Sequence, residues 1–179
     1  MSNFTKKEII KTFIELLNEK PFDKITIKEI TERCKINRNT FYYHFQDIYN
    51  VLEELLREET NKVINASNTN NSLEESINFV INNKIAFFHI YNSLNRKRLE
   101  YYFSLIFEAL LKNYIKNNYT DYKLNSDDEQ LLIKFYIGAF LYYVFDWFEN
   151  KMEKNPTEIL DKLINLFKSS FDSSIKSLI

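Results

Sequence analysis

TIKEITERCKINRNTFYYHF, Thr26 to Phe45, holds two short helices with only a turn's length of chain between them. Thr26 opens a capping box with Glu29 three residues on: the threonine hydroxyl can accept from the Glu29 amide while the Glu29 carboxylate returns to the Thr26 amide. Ile27, Ile30 and Cys34 then fall at helical spacing on one face. Lys35-Ile36-Asn37 is too short for more than a tight turn. Asn37 is a preferred N-cap for a second helix, whose apolar positions, Phe41 and Phe45, again lie four apart. Between and beside them Arg38, Asn39, Thr40, Tyr42, Tyr43 and His44 form an array of hydrogen-bonding groups with little reason to be buried together. Two helices so arranged are a helix-turn-helix, the module that lays its second helix in the major groove of duplex DNA.

At these residues the chain resembles the TetR/AcrR family of bacterial one-component transcription regulators. The resemblance rests on TFYYHF at Thr40–Phe45, on Asp47 just after it, and on KITIKEI at Lys24–Ile30. It is close over roughly the first 55 residues. Carried over position by position, it implies base or near-base contacts from Arg38, Asn39, Thr40 and Tyr42, and a groove contact from Lys28. Thr26, Tyr43 and His44 match phosphate-contacting positions, and Lys35 and Asn37 in the turn complete the expected DNA-contacting set. Arg38 suits guanine and Asn39 adenine, each bidentate pair being worth about 1–3 kcal/mol of discrimination. Two positions depart from the family pattern. Lys35 stands where glycine is common, because the chain there tends to positive φ, and Ile48 stands where a lysine usually touches the DNA backbone.

Composition is compatible with this reading and supplies limits. One glycine and two prolines leave almost no material for β-turns, so the chain reads as all-α. One cysteine excludes an internal disulfide and a cysteine-based zinc site, and fits a reducing cytoplasm. Cys34 reads as a buried apolar position rather than a nucleophile. Two histidines, far apart, suggest no metal site. No Ser-His-Asp arrangement or paired carboxylates emerge, and a single glycine leaves no phosphate-cradling loop, so neither an enzyme nor a cofactor is expected. No apolar run is read as reaching the roughly 18–20 residues that span a bilayer, and the polar, then amphipathic N-terminus gives no signal peptide. A cytoplasmic protein with no membrane partner is the expectation. The net charge of −1 does not by itself point to DNA; residues 1–50 carry nine Lys or Arg against seven Asp or Glu, a local +2. DNA binding needs a local cationic surface rather than a basic chain, and Lys24, Lys28, Lys35 and Arg38 cluster around the motif.

Helix starts are legible along the rest of the chain. Thr5-x-x-Glu8, Ser72-x-x-Glu75 and Ser126-x-x-Glu129 repeat the capping-box pattern, and Asn155-Pro156-Thr157-Glu158 sets a cap, an N1 proline and an N3 glutamate in order. Asn37 and Asp47 cap the other two. Helices are predicted near 5–19, 26–34, 38–44, 48–66, 73–90, 97–118, 126–151 and 156–178, with a helical turn near 91–96, and ASNTNN at 66–71 as the loop between halves. Eight to nine helices divide into a three-helix DNA-binding domain over 1–50 and a helical ligand-binding and dimerisation domain over 51–179. The first should share a core of Ile9, Ile10, Phe13, Leu17, Ile27, Ile30, Phe41 and Phe45, closed by Val51, Leu52 and Leu55, with Cys34 and Ile36.

The second half holds 19 of the 29 aromatic residues between Phe79 and Phe148. Its Gly138, Trp147 and Pro-x-Glu opening of the last helix resemble the branch of the family that regulates dihydroxyacetone-kinase operons. The resemblance implies pairing of the last two helices with those of a second subunit, for which Phe140, Tyr143, Val144, Trp147, Leu163, Phe167 and Phe171 supply faces. It also implies an effector pocket among the middle helices, with Phe87, His89, Tyr91, Tyr102, Phe103, Phe107 and Tyr136 as candidate lining; each fits plain core or interface better than ligand contact. The leading expectation is therefore a homodimeric repressor, bound to a palindromic operator in double-stranded DNA and released by a small apolar or aromatic effector. The alternative is a non-enzymatic co-regulator or activator that binds ligand or a protein partner with little specific DNA binding.

Overall fold

The computed structural model describes residues 2–65, 78–93, 95–119, 125–154 and 156–178, without the side chains of residues 2, 156–161, 163 and 164. Every regular element among the described residues is a helix, and none of them is in a strand. Helix α1 is Ser2–Glu19, followed by a 3-10 turn at Phe22–Lys24, α2 Ile27–Arg33, α3 Arg38–His44 and α4 Ile48–Asn65. Residues 78–82 form the described part of α5, before α6 Lys84–Tyr91, α7 Arg96–Asn118, α8 Ser126–Glu149 and α9 Pro156–Leu178. The chain forms two compact units, Met1–Tyr102 and Phe103–Ile179.

In the first unit α1 packs against α2, α4 and α6, and α2 against α3. Ile9, Phe13, Leu17, Ile30, Phe41, Val51 and Leu52 are fully buried, as the periodicity predicts, while Ile27, Cys34 and Ile36 are only half-buried. Leu16, Phe22, Ile25 and Leu56 join this core as well. Phe22 lies in a link with no helical period; its ring meets Phe13 edge-on at 6.0 Å and Tyr49 at 5.1 Å.

Three predicted helix starts are corrected. α1 begins at Ser2, so Thr5 lies inside the helix and is not its cap. α8 is capped by Asn125, one residue earlier than predicted, whose side chain accepts from the amides of Asp127 at 3.0 Å and Asp128 at 2.9 Å. The helix predicted over 73–90 is interrupted at Asn83, whose φ of −114° and ψ of 28° are not helical. The new start is capped from another helix. Asn18 of α1 accepts from the Ala86 amide at 3.2 Å and donates to the Asn83 carbonyl oxygen of the side chain at 3.1 Å. The predicted loop at 66–71, the box at Ser72 and Glu75, and the cap at Asn155 lie outside the described residues.

In the second unit Leu111, Leu132, Ile133, Tyr136, Phe171 and Ile175 form the core, with α8 packed on α9. The Tyr136 hydroxyl lies 2.6 Å from the Ser170 hydroxyl and 3.0 Å from that of Ser174. Two phenols, Tyr114 at 3.0 Å and Tyr119, donate to the Asp172 carboxylate.

Candidate nucleic-acid interface

The two helices of the motif stand as the caps dictate. The Thr26 hydroxyl accepts from the Glu29 amide at 3.3 Å while a Glu29 oxygen accepts from the Thr26 amide at 3.0 Å, so both halves of the capping box are made. α2 ends in a Schellman turn. The Ile36 amide reaches the Thr31 carbonyl at 3.0 Å and the Lys35 amide the Glu32 carbonyl at 3.3 Å. That geometry puts Lys35 at φ 53°, the left-handed region that glycine occupies without cost. The Asn37 side chain then accepts from the Thr40 amide at 2.8 Å and starts α3. A second reciprocal cap opens α4: Asp47 accepts from the Asn50 amide at 2.9 Å, and Asn50 from the Gln46 amide at 3.3 Å. Sequence reading found only the Asp47 half, because asparagine replaces the glutamate of the usual pattern.

Phe41 and Phe45 turn inward, which leaves the opposite face of α3 in solvent. Tyr43 is 76% exposed and Tyr42 54%. Arg38 and Asn39 are exposed, Thr40 and His44 half-buried, and Thr26, Lys28, Lys35 and Asn37 exposed along the approach. The structure thus brings all ten predicted positions onto α2, the turn and α3, none of them buried. They differ in what is still available. The side chains of Lys35, Arg38 and Asn39 have no hydrogen-bond or ion-pair partner among the described residues. The Asn37 oxygen and the Thr26 hydroxyl are occupied by their caps, and Lys28 stands 3.8 Å from Glu32.

Ion pairs fix α2 to its neighbours. Arg33 and Lys20 hold the carboxyls of Glu19 and Glu29 below the ordinary range, in each case chiefly by the hydrogen bond they donate. Lys6 of α1 donates to Glu54 of α4 at 2.6 Å and sits 5.9 Å from the centre of the Phe45 ring, just where α3 ends. Burial raises the Glu54 pKa, but hydrogen bonds from Arg57 and Lys6 outweigh it and the carboxyl stays low. Cys34 contacts the Thr12 hydroxyl at 3.2 Å, and burial pushes its thiol up, away from the thiolate a nucleophile needs. Among the described residues no group of three or more His, Cys, Asp or Glu is placed to hold a metal.

A family model of bacterial regulatory proteins, tetR family, matches residues 9–55, and one of a transcriptional regulator C-terminal region matches residues 67–169. The chain belongs to the TetR family of transcriptional regulators. This TetR-family regulator is 23% identical over 175 residues to the HTH-type dhaKLM operon transcriptional activator DhaS of Lactococcus lactis subsp. lactis (strain IL1403), a match covering 93% of this chain and 92% of that protein. Its fold is similar to a solved structure of a dihydroxyacetone kinase operon activator, DhaS, with a TM-score of 0.78 and 20% identity, covering 94% of this chain and 96% of that one. The family and these relatives are regulators of transcription, not enzymes.

The regulator's aromatic candidates separate on inspection. Phe87, Tyr91 and Tyr102 are buried in the first unit. His89 is turned to α1, with Nδ1 2.7 Å from the Leu17 carbonyl; a carbonyl only accepts, so Nδ1 carries the proton. In the second unit Phe103 packs on Phe145 and Phe148, and Phe107 stacks on Phe140 at 4.7 Å. Of the seven, Tyr136 alone lines the groove of about 300 Å³ that runs between α8 and α9, with Phe135, Ala139, Phe140, Tyr143, Leu166 and Phe167. Four of the predicted pairing residues, Phe140, Tyr143, Val144 and Trp147, are half-buried or exposed on α8, and Phe167 is half-buried on α9. Phe171 is a correction: it is fully buried against Tyr114, Tyr136 and Phe167 and has no surface to offer a partner. The Leu163 side chain lies outside the described residues.

Helix α8 corrects one more expectation. Its 24 residues are long and apolar enough to cross a bilayer by length and composition alone, where no such run is expected from the sequence. In the fold it supplies Leu132, Ile133, Tyr136, Phe145 and Phe148 to the protein interior. Even so, only 28% of its apolar window is buried within the chain.

Proposed function

We propose that this TetR-family regulator acts as a homodimer that reads a palindromic site in double-stranded DNA through α3. Residues 1–50 form the reading head and residues 51–179 the regulatory and dimerising part. The observation that carries this is the solvent face of α3, where Tyr42 and Tyr43 are exposed beside Arg38 and Asn39, whose side chains have no hydrogen-bond or ion-pair partner among the described residues. Large exposed aromatic groups and an exposed guanidinium on a capped seven-residue helix suit a major groove and its phosphates. Arg38 and Asn39 read base edges; Tyr43, His44 and Lys35 meet phosphates.

Dimerisation rests on α8. Phe135 and Tyr142 are each 68% exposed, and with Tyr143 and Leu166 they leave large apolar side chains in solvent, the kind of surface that marks an interaction site. A second copy covering that face also supplies the two α3 helices that half-sites about one DNA turn apart require. The same coverage accounts for the apolar composition of α8 in a cytoplasmic protein.

Repression relieved by a small apolar or aromatic effector is the leading form of control. Activation is favoured by one observation, that the relative and the solved structure described above are each named an activator. Footprinting on the DNA upstream of its own gene tests the central reading: a protected palindrome bound about 10³-fold or more above random duplex supports it, and binding without preference overturns it. Transcription in vitro from that site gives the sign.

A further inference from the structure

Three successive cations, Arg96, Lys97 and Arg98, open α7, all exposed, in a first turn that contains no acidic residue. The helix dipole disfavours cations at that end, so local helix stability does not explain them. Arg98 is turned towards α4: its Nη1 donates to the Tyr49 carbonyl at 3.3 Å and lies 3.8 Å from the Glu53 carboxylate, and its guanidinium stands 5.7 Å from the centre of the Tyr49 ring. Arg96 lies 4.6 Å from the Tyr91 ring. Lys97 has no side-chain partner among the described residues.

The place of Tyr49 gives this patch its meaning. It is the second residue of α4, five past His44, and its other ring contact is Phe22, in the turn that leads to Lys24 and Thr26. Arg98 therefore sits one side chain away from the flank of the reading head. That head carries a net charge of only +2 over residues 1–50, whereas DNA affinity scales with the number of phosphates neutralised.

We propose that Arg96, Lys97 and Arg98 form a second phosphate-binding surface, beside the start of α4, on which Lys97 and Arg98 hold the DNA backbone next to the bases read by α3. The proposal rests on the DNA-binding reading above. Charge complementarity and the contact of Arg98 with Tyr49, in the first turn of α4 just past the motif, favour a nucleic-acid backbone as the occupant. Contacts of this kind anchor without reading sequence, so they add to every duplex alike.

The test is fluorescence anisotropy of the full chain on its upstream duplex and on a scrambled duplex across a range of salt, for wild type, Lys97→Gln, Arg98→Gln, the double variant and Arg98→Lys. The expected result is a loss of affinity on both duplexes and a salt slope, log K against log [salt], shallower by about 0.9 for each contact removed, with Arg98→Lys close to wild type. Unchanged affinity and slope in the double variant would overturn the proposal. So would weaker binding with an unchanged slope, which makes Arg98 a brace for α4 and not a phosphate contact. A wild-type protein with no preference for its upstream duplex, on which Tyr43→Ala also has no effect, would instead overturn the DNA reading beneath it.

Discussion

Arg33 grips Glu19 through two parallel hydrogen bonds, Nη1 to Oε1 at 2.6 Å and Nη2 to Oε2 at 2.5 Å, and so ties the last turn of α2 to the last turn of α1. Bidentate geometry makes such a pair directional as well as attractive. Because the bond holds the Glu19 pKa below its ordinary value of 4.5, the contribution is present above that pH and lost as pH falls through the lowered folded value. Glu29, held low by Lys20 and Thr26, acts in the same direction. Glu19→Gln should therefore be less stable than wild type at neutral pH, and the gap should close as the solution is acidified below 4.5. Thermal melts of both proteins at matched pH values check this; a gap that stays constant into acid would show that Glu19 acts by shape and not by charge.

Arg38→Ala and Tyr43→Ala should fail in different ways. If Arg38 reads guanine, its loss costs about 1–3 kcal/mol at one base position and blurs preference there. Tyr43→Ala, removing a phosphate contact, should weaken cognate and random duplexes alike. Anisotropy titrations on a cognate site and its single-base variants separate the two, and equal losses on all duplexes for Arg38→Ala would end its reading role.

The reading head was legible in the sequence because its determinants are local. Thr26 with Glu29, Asn37 with Thr40 and Phe41 with Phe45 all lie three or four residues apart, and each pair is made in the fold. What escaped was non-local. Asn18 caps α6 across 68 residues, and no pattern around Asn83 announces it. Phe22 enters the core from a link without a period, and Phe171, at the right spacing for an outward stripe on α9, is taken inward by three other rings. Periodicity shows that a helix has an apolar face; it does not say whether that face meets its own chain or another.

Two helices end on lysines in the left-handed region, Lys35 at φ 53° and Lys151 at φ 56°, in a chain with one glycine. Each closes a Schellman turn; at the second, the Lys151 amide reaches the Phe148 carbonyl at 3.0 Å and the Met152 amide the Trp147 carbonyl at 2.9 Å. A side chain with Cβ costs roughly 1–2 kcal/mol there, offset in part by the greater freedom glycine gives the unfolded chain. Lys35→Gly and Lys151→Gly should each stabilise by about 0.5–1 kcal/mol, and Lys35→Ala should gain nothing. Urea unfolding of the three variants decides it. A destabilised Lys35→Gly would mean that the lysine side chain contributes more than its backbone strain removes.

Gly138 turns the proposed dimer into a question of sign. It sits in the middle of α8, exposed, and a Cβ added there would meet nothing within 4 Å of its own chain. Glycine costs a helix interior about 1 kcal/mol relative to alanine, so in an isolated chain Gly138→Ala can only help. The proposed second copy of α8, lying close over this position, would supply the missing reason for glycine, since backbones approach most closely where no side chain intervenes. Gly138→Ala should then stabilise the dilute, dissociated protein yet weaken self-association, and Gly138→Leu should give monomers at concentrations where wild type is dimeric, with its helical circular dichroism retained. Sedimentation velocity across a concentration series reads both effects. Wild-type self-association in Gly138→Leu would remove this stretch of α8 from the interface and leave Phe135 and Tyr142 to be covered by something other than a second copy.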